Sequence, residues 1–190
     1  MLGDLLYSDI CYYEHFLASP QNKKNNRKEI YYSFGILCYR FFENRPQILL
    51  VQKYNQCRKP HIWGFPKGSP NENNETRLMT AKREFLEETQ TTLRDRNKYR
   101  NHIEVLPNNP IQSCYEGYSY IEISNYFIAN SSNYITNVDP DTHPEIYKAE
   151  WVDLDNLKKY IKKKRYDLIR IAINGYFQLI SFINYHYLLR

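Results

Sequence analysis

The sequence predicts an α/β protein in which helices cover both faces of a central mixed sheet. This is an α/β/α sandwich with a short N-terminal helix and further C-terminal helices. Two observations predict this class. Segments rich in β-branched and aromatic residues lie on both sides of a central amphipathic helix, and helical periodicity returns towards the C-terminus. The 190 residues, 42% hydrophobic and 16% aromatic, provide enough apolar side chain for one domain with a sizeable core.

The N-terminal segment is predicted to differ from the rest of the chain. Apolar residues at helical spacing indicate a helix within residues 1–19, and the polar, basic residues 20–28 are typical of a flexible connector. We therefore expect residues 1–30 to form an N-terminal helix and connector. Residues 31–190 are expected to form the main domain with its basic and aromatic-rich C-terminal helices.

Strands are predicted before and after the central helix. Residues 31–42 and 47–54 have strand composition and are joined by Glu43-Asn44-Arg45-Pro46, a turn that predicts a hairpin. Residues 61–65 predict a short strand that leads into a Pro66-Lys67-Gly68 turn. The later strands are expected at 103–106, 114–119, 121–129 and 147–152, where 114–119 and 121–129 also fit one kinked strand.

The C-terminal residues 154–164 and 166–189 have helical periodicity. Residues 171–189 contain no Asp, Glu, Lys or Arg, so a membrane span is one interpretation. An amphipathic helix packed on protein is favoured, because polar side chains follow one helical arc. These are Arg170, Asn174, Gln178, Ser181, Asn184 and Tyr185.

Three carboxylates mark the central helix as a candidate metal site. At about 100° per residue, Glu84, Glu87 and Glu88 share one arc, whereas Leu78, Ala81, Phe85 and Thr89 form an apolar stripe with Met79 and Leu86 at its margin. Like charges three or four residues apart repel by roughly a few tenths of a kcal/mol per pair. Bound Mg²⁺ or Mn²⁺ would reverse that repulsion. A solvated acidic helix face is the alternative.

The residues around these acids resemble the signature of the Nudix hydrolases, G-x5-E-x7-R-E-U-x-E-E-x-G-U with U a bulky aliphatic residue. Glu75 is followed by seven residues and then by Arg83-Glu84-Phe85-Leu86-Glu87-Glu88-Thr89. Three features depart from the signature. Six residues instead of five separate Gly68 from Glu75, and Gln90 and Thr91 replace the late glycine and the final aliphatic residue. The resemblance implies the Nudix α/β/α sandwich.

Two further segments resemble the mRNA-decapping Nudix enzymes of eukaryotes and large DNA viruses. His61-Ile62-Trp63-Gly64-Phe65-Pro66-Lys67-Gly68 is similar to their W-x-F-P-K-G segment, although Ser69 stands where a second lysine is frequent. Pro144-Glu145-Ile146-Tyr147-Lys148-Ala149-Glu150-Trp151 is similar to their N-E-I-x-K-I-x-W segment. This resemblance, over residues 31–185, implies cleavage of the cap triphosphate bridge to 7-methylguanosine diphosphate and 5′-monophosphate RNA. Because only about 30 residues precede the domain, where the cellular enzyme has a regulatory domain, no obligate activator is expected.

The resemblance also implies roles for individual residues. Glu84 and Glu88 would bind Mg²⁺ or Mn²⁺ together with the Gly68 carbonyl, and Glu87 would share in metal binding or act as the general base. Arg83 and Glu75 would form an ion pair that fixes the helix to its loop. Glu145 is the second candidate general base. It also fits an ordinary loop acid, and the sequence does not decide between it and Glu87.

Basic residues suggest a polyanionic partner, which the resemblance implies is capped RNA. The net charge is +5 and the isoelectric point is near 8.9 despite the acidic cluster. Lys158, Lys159, Lys162 and Lys163 would share a face of the predicted helix 154–164 and bind the RNA backbone, unless that face is only solvated. Lys67, in the turn before the acids, is a further candidate for substrate binding.

Aromatic and histidine side chains leave cap recognition open. Trp63, Tyr115 or Tyr118 are candidates to stack on the cap base, although a core role is the alternative for each. His61 and His143 suggest no function.

The four cysteines are scattered without a C-x-x-C pair, which favours a reducing, cytoplasmic location over a disulfide framework or zinc site. No membrane association is expected. Two other functions remain open, hydrolysis of small polyphosphates (diadenosine or diphosphoinositol polyphosphates) and a non-catalytic RNA-binding Nudix module. The oligomeric state is also open, because helix 166–189 suits either a dimer contact or packing on its own sheet.

Overall fold

The computed structural model describes residues 28–54, 60–71, 74–100 and 103–188. The helix predicted within residues 1–19 and nearly all of the connector lie outside the described residues.

The described strands form one mixed sheet. Its order is β3-β2-β1-β7-β5, with β4 paired to β1, β6 to β7 and β8 to β2. Only the pairing of β1 with β7 is parallel among the described strands. The strands are β1 (Glu29–Phe42), β2 (Arg45–Tyr54), β3 (Pro60–Gly64), β4 (Lys67–Gly68), β5 (Glu104–Val105), β6 (Ile111–Glu116), β7 (Tyr120–Asn130) and β8 (Ile146–Asp153).

Helices lie on both faces of this sheet. They are α1 (Arg77–Thr89), α2 (Leu93–Tyr99), α3 (Leu157–Tyr160) and α4 (Tyr166–Leu188), and two 3-10 turns cover Leu154–Asn156 and Lys163–Arg165. Period-two alternation along β1 separates two cores. Leu37 and Tyr39 face α4, whereas Ile36 and Cys38 face α1. The predicted α/β/α sandwich around a mixed sheet is therefore confirmed.

The hairpin predictions have two outcomes. The turn between β1 and β2 is confirmed, and Glu43 and Asn44 both have positive φ (48° and 60°), as such a tight turn requires. The alternative of one kinked strand over 114–129 is wrong, because β6 and β7 pair antiparallel with Ser113 opposite Ser124. The Pro66-Lys67-Gly68 turn contains the short strand β4, in which Gly68 pairs with Phe34 of β1.

The single helix predicted over 154–164 is also wrong. The segment is a 3-10 turn, the four-residue α3 and a second 3-10 turn, interrupted at Ile161. Ile161 has extended backbone (φ −82°, ψ 123°) and a buried side chain. Burial of this side chain therefore overrides the local helical pattern, and Lys158 and Lys159 do not share a helical face with Lys162 and Lys163.

The long C-terminal helix α4 is confirmed. Gly175 allows α4 to approach β1 closely, because a methyl group there would overlap the hydroxyl of Tyr39. That hydroxyl donates to the carbonyl of Ala172 at 2.6 Å. No helix among the described residues is long and apolar enough to cross a membrane.

Candidate active site

The helix that carries the three acids is defined at both ends. The Thr76 hydroxyl caps its start by accepting from the N–H of Met79 at 3.2 Å. At its end Gln90 has extended backbone (φ −135°, ψ 121°) and forms a bridge with Asn137. This exit needs no left-handed residue, which explains how glutamine replaces the signature glycine.

The buried face of α1 differs in part from the predicted stripe. Ala81, Phe85 and Thr89 are fully buried, as the spacing predicts. Leu78 and Met79 are 37% and 58% exposed, so their placement on the apolar face is wrong. Burial along α1 begins at Thr80 and Ala81.

The three acids lie in three different environments. The side chain of Glu88 is 4% exposed, that of Glu84 16% and that of Glu87 39%. Glu88 forms an ion pair with Lys53 and accepts from the backbone N–H of Lys67 at 3.2 Å. Glu84 and Glu87 both accept from the Nη1 group of Arg83, at 2.7 and 2.8 Å.

Arg83 also joins the helix to the preceding loop. It pairs with both carboxylate oxygens of Glu75, at 2.8 and 3.0 Å, and donates to the carbonyl of Ser69 at 2.9 Å. The Glu75 carboxylate also accepts a hydrogen bond from the N–H of Asn71 at 3.0 Å. The extra loop residue therefore does not prevent the Arg83–Glu75 contact, which holds the loop against the acids.

Burial and ion pairing shift the pKa values of the carboxyl groups in opposite directions. Burial raises the pKa of Glu88 to about 7, although Lys53 opposes the shift. Burial also raises the pKa of Glu84 against the effect of Arg83. By contrast, hydrogen bonds from Arg83 hold the pKa of Glu75 at about 2. Glu88 and Glu84 are thus the carboxylates whose charged forms gain most from a nearby cation.

The donors around these two acids fit a hard divalent cation. A methyl group at Gly68 would overlap the Glu84 carboxylate, so the backbone of β4 lies directly against that side chain. Carboxylate and backbone oxygens are the ligands that Mg²⁺ and Mn²⁺ prefer. Among the described residues no three His, Cys, Asp or Glu side chains form a ready metal cage. The acids are paired with Arg83 and Lys53 instead.

Lys53 was not among the residues predicted for the site. It lies near the end of β2. Because every second side chain of a strand points to the same face, Lys53 shares the α1 face of the sheet with the buried Leu49 and Val51. Burial lowers the pKa of Lys53, but the carboxylates of Glu88, Glu145 and Glu84 together raise it by more, so the net shift is upward. The period-two pattern of β2 was the sequence signal for this position.

His143 joins the loop before β8 to α1, although the sequence suggested no function for it. Its ring is 4% exposed, and Nε2 lies 2.7 Å from the carbonyl of Glu87. Nδ1 accepts from the N–H groups of Glu145 and Ile146 at 3.2 and 2.9 Å. The ring therefore carries its proton on Nε2, which donates to Glu87.

This arrangement sets the position of Glu145. The carbonyl of Glu145 accepts from the N–H of Tyr54 at 2.9 Å, so the loop is held by β2 as well as by α1. The side chain of Glu145 is exposed, and its charge acts on Lys53, the partner of Glu88. Both candidate general bases thus belong to one hydrogen-bonded unit centred on His143.

Comparison with known protein families identifies this arrangement. A sequence model of the NUDIX domain matches residues 32–170, most of the chain. The chain belongs to the Nudix family. It is a pyrophosphohydrolase that acts on phosphoanhydride bonds, and the non-catalytic alternative is not supported. Nudix hydrolases generally use divalent metal ions such as Mg²⁺ or Mn²⁺.

Solved Nudix structures have the same fold as this chain. The Ap4A hydrolase of C. elegans, in a binary complex, is 19% identical with a TM-score of 0.59, over 78% of this chain and 98% of that protein. The NUDIX domain of Shewanella oneidensis NrtR, complexed with ADP ribose, is 17% identical with a TM-score of 0.56, over 81% and 93%. The MutT protein from Methanosarcina mazei Go1 is 18% identical with a TM-score of 0.54, over 78% and 96%. No curated protein matches the sequence significantly.

The ammonium group of Lys67 points away from the acids of this Nudix site. It forms an ion pair with Glu122 and contacts the hydroxyls of Ser33 and Ser124 at 3.2 and 3.1 Å. Burial lowers its pKa although Glu122 opposes the shift. Within the described residues, Lys67 reaches the acidic cluster through its backbone N–H to Glu88.

The other predicted RNA-binding lysines lie on the α4 side of the sheet. Lys158, Lys159, Lys162 and Lys163 are all exposed, and none of them forms an ion pair with a described residue. α3 is joined to β3 by an edge-to-face contact of Tyr160 with Trp63, at 5.2 Å between centroids. The structure therefore does not bring these lysines into contact with the acids.

The candidate cap-stacking residues differ in accessibility. Trp63 packs against Tyr160 and the core. Tyr115 lies under the guanidinium of Arg165, 4.5 Å from its ring centroid. Tyr118, at the tip of the β6–β7 hairpin, is fully exposed. Tyr118 is thus the one of the three whose ring is free to stack.

Proposed function

We propose that this Nudix hydrolase is an mRNA-decapping enzyme. One observation carries the proposal. The two segments that resemble decapping enzymes, residues 61–68 and 144–151, both lie next to the acidic helix. Gly68 of the first lies against the Glu84 carboxylate. The second begins directly after His143, which bonds to the carbonyl of Glu87 and accepts from the N–H of Glu145. Segments that border the reacting centre are those expected to determine the substrate.

The proposed reaction is hydrolysis of one phosphoanhydride bond of the cap triphosphate bridge. Water attacks a phosphorus atom of the bridge, the bridging P–O bond breaks, and the water proton passes to a carboxylate. The products are 7-methylguanosine diphosphate and RNA with a 5′-monophosphate. Mg²⁺ or Mn²⁺ held by Glu84, Glu88 and Gly68 would neutralise phosphate charge and lower the pKa of water.

The residues of the chain have separate tasks in this reaction. Arg83 and Glu75 hold the loop and α1 together, so that Gly68 and Glu84 stay in contact. Lys53 balances the buried charge of Glu88. Glu87 or Glu145 accepts the proton, and His143 holds the two at a fixed separation by its bonds to both backbones.

The proposed partner is capped RNA, and we place its backbone in part on Lys158, Lys159, Lys162 and Lys163. These side chains are exposed and unpaired among the described residues, so each is available to a phosphate. Their separation from the acids means that they would bind nucleotides several positions from the cap. The proposal requires no activator protein.

The test is timed hydrolysis of cap-labelled RNA, free cap dinucleotide, diadenosine tetraphosphate and a diphosphoinositol phosphate, with products identified. The proposal predicts that capped RNA has the highest kcat/KM. Faster turnover of diadenosine tetraphosphate would assign the small-polyphosphate alternative, the substrate class named for the C. elegans relative. Equal turnover of cap dinucleotide and long RNA would contradict RNA recognition.

A further inference from the structure

A groove with a volume of about 580 Å³ runs between α1 and α2. Its floor includes two aliphatic side chains that are unusually open to solvent, Met79 at 58% and Leu93 at 72% exposed. The volume lies within the range of about 300–1,000 Å³ that is typical of ligand sites. Neither Met79 nor Leu93 takes part in the chemistry described above.

The rim of the groove is cationic. Lys82, Arg96 and Arg100 line it, and among the described residues none of them forms an ion pair. Arg96 is held in place by its Nε–H, which donates to the carbonyl of Gln90 at 3.0 Å. The two carboxylates of the groove, Glu75 and Glu87, are both paired with Arg83. The unpaired charge of the lining is therefore positive.

The groove shares residues with the acidic cluster. Glu87 belongs to the acidic cluster and also lines the groove, and so does its partner Arg83. A chain attached to the cleaved bridge can leave the acids along this path without crossing the sheet. The lysines of α3, on the α4 side, have no such contact with the cluster.

We propose that the α1–α2 groove binds the nucleotide chain of the substrate, the RNA next to the cleaved bridge. Unpaired cations beside an apolar floor match the alternation of phosphates and flat bases along a single strand. Met79 and Leu93 provide the surface for a base, and Lys82, Arg96 and Arg100 receive the phosphates. The inference rests on the proposed function, because only a nucleic acid substrate has such a chain.

The first test removes charge from the groove. The Lys82→Ala, Arg100→Ala protein is compared with the Arg94→Ala, Lys98→Ala protein, in which two cations leave the side of α2 that faces away from the groove. Affinity for an uncapped 5′-monophosphate RNA is measured by fluorescence anisotropy at several salt concentrations. Loss of two phosphate contacts lowers the slope of log affinity against log salt by about 1.4 for single-stranded RNA. The control protein is expected to change it by less than half as much.

The second test needs no variant. RNA carrying 4-thiouridine at its first positions is crosslinked to the wild-type protein and the peptides are identified. The groove predicts crosslinks within residues 79–100, whereas crosslinks confined to residues 158–170 would overturn it. An equal loss of affinity in both double variants would also overturn it.

These outcomes separate the groove from the proposed reaction. Hydrolysis of capped RNA together with unchanged RNA affinity of the groove variant would overturn the groove and leave decapping intact. RNA crosslinked in the groove of a protein that does not cleave caps would overturn decapping and leave the groove intact. Absence of any RNA binding by the wild-type protein would overturn the groove proposal outright.

Discussion

At the scale of single residues, the acids of α1 differ in what their surroundings allow. Glu88 is almost fully buried beside Lys53, whereas Glu87 is 39% exposed and bound to Arg83. Burial disfavours the charged form of a carboxyl, and a bound cation favours it, so Glu88 suits the role of a metal ligand that loses its proton when the metal binds. The more exposed Glu87, or the exposed Glu145, suits exchange of a proton with water.

Titration of Glu88 should destabilise the metal-free protein as pH rises. The pKa of Glu88 is about 7 in the folded state, against 4.5 for a glutamate side chain in water. Between these values the folded state binds more protons than the unfolded state, so the free energy of unfolding falls with increasing pH, by roughly 1–3 kcal/mol. Urea denaturation in EDTA at several pH values measures this. Glu88→Gln should flatten the dependence, and equal slopes in both proteins would contradict it.

Substitution of the two candidate bases should decide between them. Glutamine in place of the true base should lower kcat by roughly 10²–10⁴-fold, because proton transfer contributes about that much to the rate. The other variant should lose less than about tenfold. The measurement is the pH–rate profile of Glu87→Gln and Glu145→Gln. If both variants keep kcat within about threefold, neither residue is the base.

At the scale of elements, the loop before β8 is part of the site because His143 ties it to α1. Its two acceptor bonds and its donor bond use both ring nitrogens. The loop is also held by Thr91, whose hydroxyl accepts from the N–H of Asp139 at 2.7 Å. The position of Glu145 relative to the acids therefore depends on side chains outside the Nudix signature.

His143→Asn should uncouple the loop from α1. The shorter side chain keeps an acceptor near the N–H groups of Glu145 and Ile146 but does not reach the carbonyl of Glu87. We expect kcat to fall about tenfold or more, with a smaller change in KM, because misplacement of a reacting group mainly affects the chemical step. In a Glu145→Gln background the same change should have less than a twofold effect if His143 acts through Glu145. Additive losses in this double-mutant cycle would contradict the positioning role.

The packing of α4 on β1 gives a stability prediction. Gly175→Ala places a methyl group against the Tyr39 hydroxyl, which is bonded to Ala172. We expect a loss of about 1–3 kcal/mol in the free energy of unfolding. Gly64→Ala is the control, since a methyl group there meets no atom within 4 Å. Thermal and urea unfolding measure both, and equal stability of the two variants would contradict the packing.

The sequence predicted the elements whose signals are local. The alternation of β1 and the spacing of Ala81, Phe85 and Thr89 are set by short-range geometry, and both elements are found. α2 has seven mostly exposed residues and no apolar stripe, so only the cap at Thr92 signals it. The break at Ile161 depends on a distant core and could not be predicted from the surrounding lysines.

The site was predictable only where one element supplies several residues. Glu84, Glu87 and Glu88 lie on one helix, as does Arg83, and Glu75 precedes that helix by only two residues. The direction of the Lys67 side chain is set by the pairing of β4 with β1, next to Ser33 and Glu122. The contact of His143 with Glu87 joins residues 56 positions apart. Sequence spacing does not encode such contacts.

At the scale of the whole molecule, two basic surfaces lie on opposite sides of the acidic centre. The α1–α2 groove is on the α1 face, and the lysines around α3 are on the α4 face. Lys82, Arg96 and Arg100 of the groove, like the exposed lysines around α3, form no ion pair with a described residue, so both surfaces carry unpaired positive charge. The proposed RNA substrate, as a long polyanion, would contact both at once.

RNA affinity should therefore depend steeply on salt. Two phosphate contacts to a single strand imply a loss of about sevenfold between 50 and 200 mM salt, and more contacts imply a larger loss. Fluorescence anisotropy with a labelled 5′-monophosphate RNA measures it. A loss of less than about threefold would show that neither basic surface makes several phosphate contacts.

The most direct test of the central claim is product identification with doubly labelled capped RNA and Mg²⁺, using wild-type protein and the Glu84→Gln, Glu88→Gln variant. We predict that the wild-type protein releases 7-methylguanosine diphosphate and leaves a 5′-monophosphate RNA, and that the variant loses at least about a thousandfold in rate. Cap cleavage by the variant at the wild-type rate, or capped RNA left intact by the wild-type protein, would contradict this account.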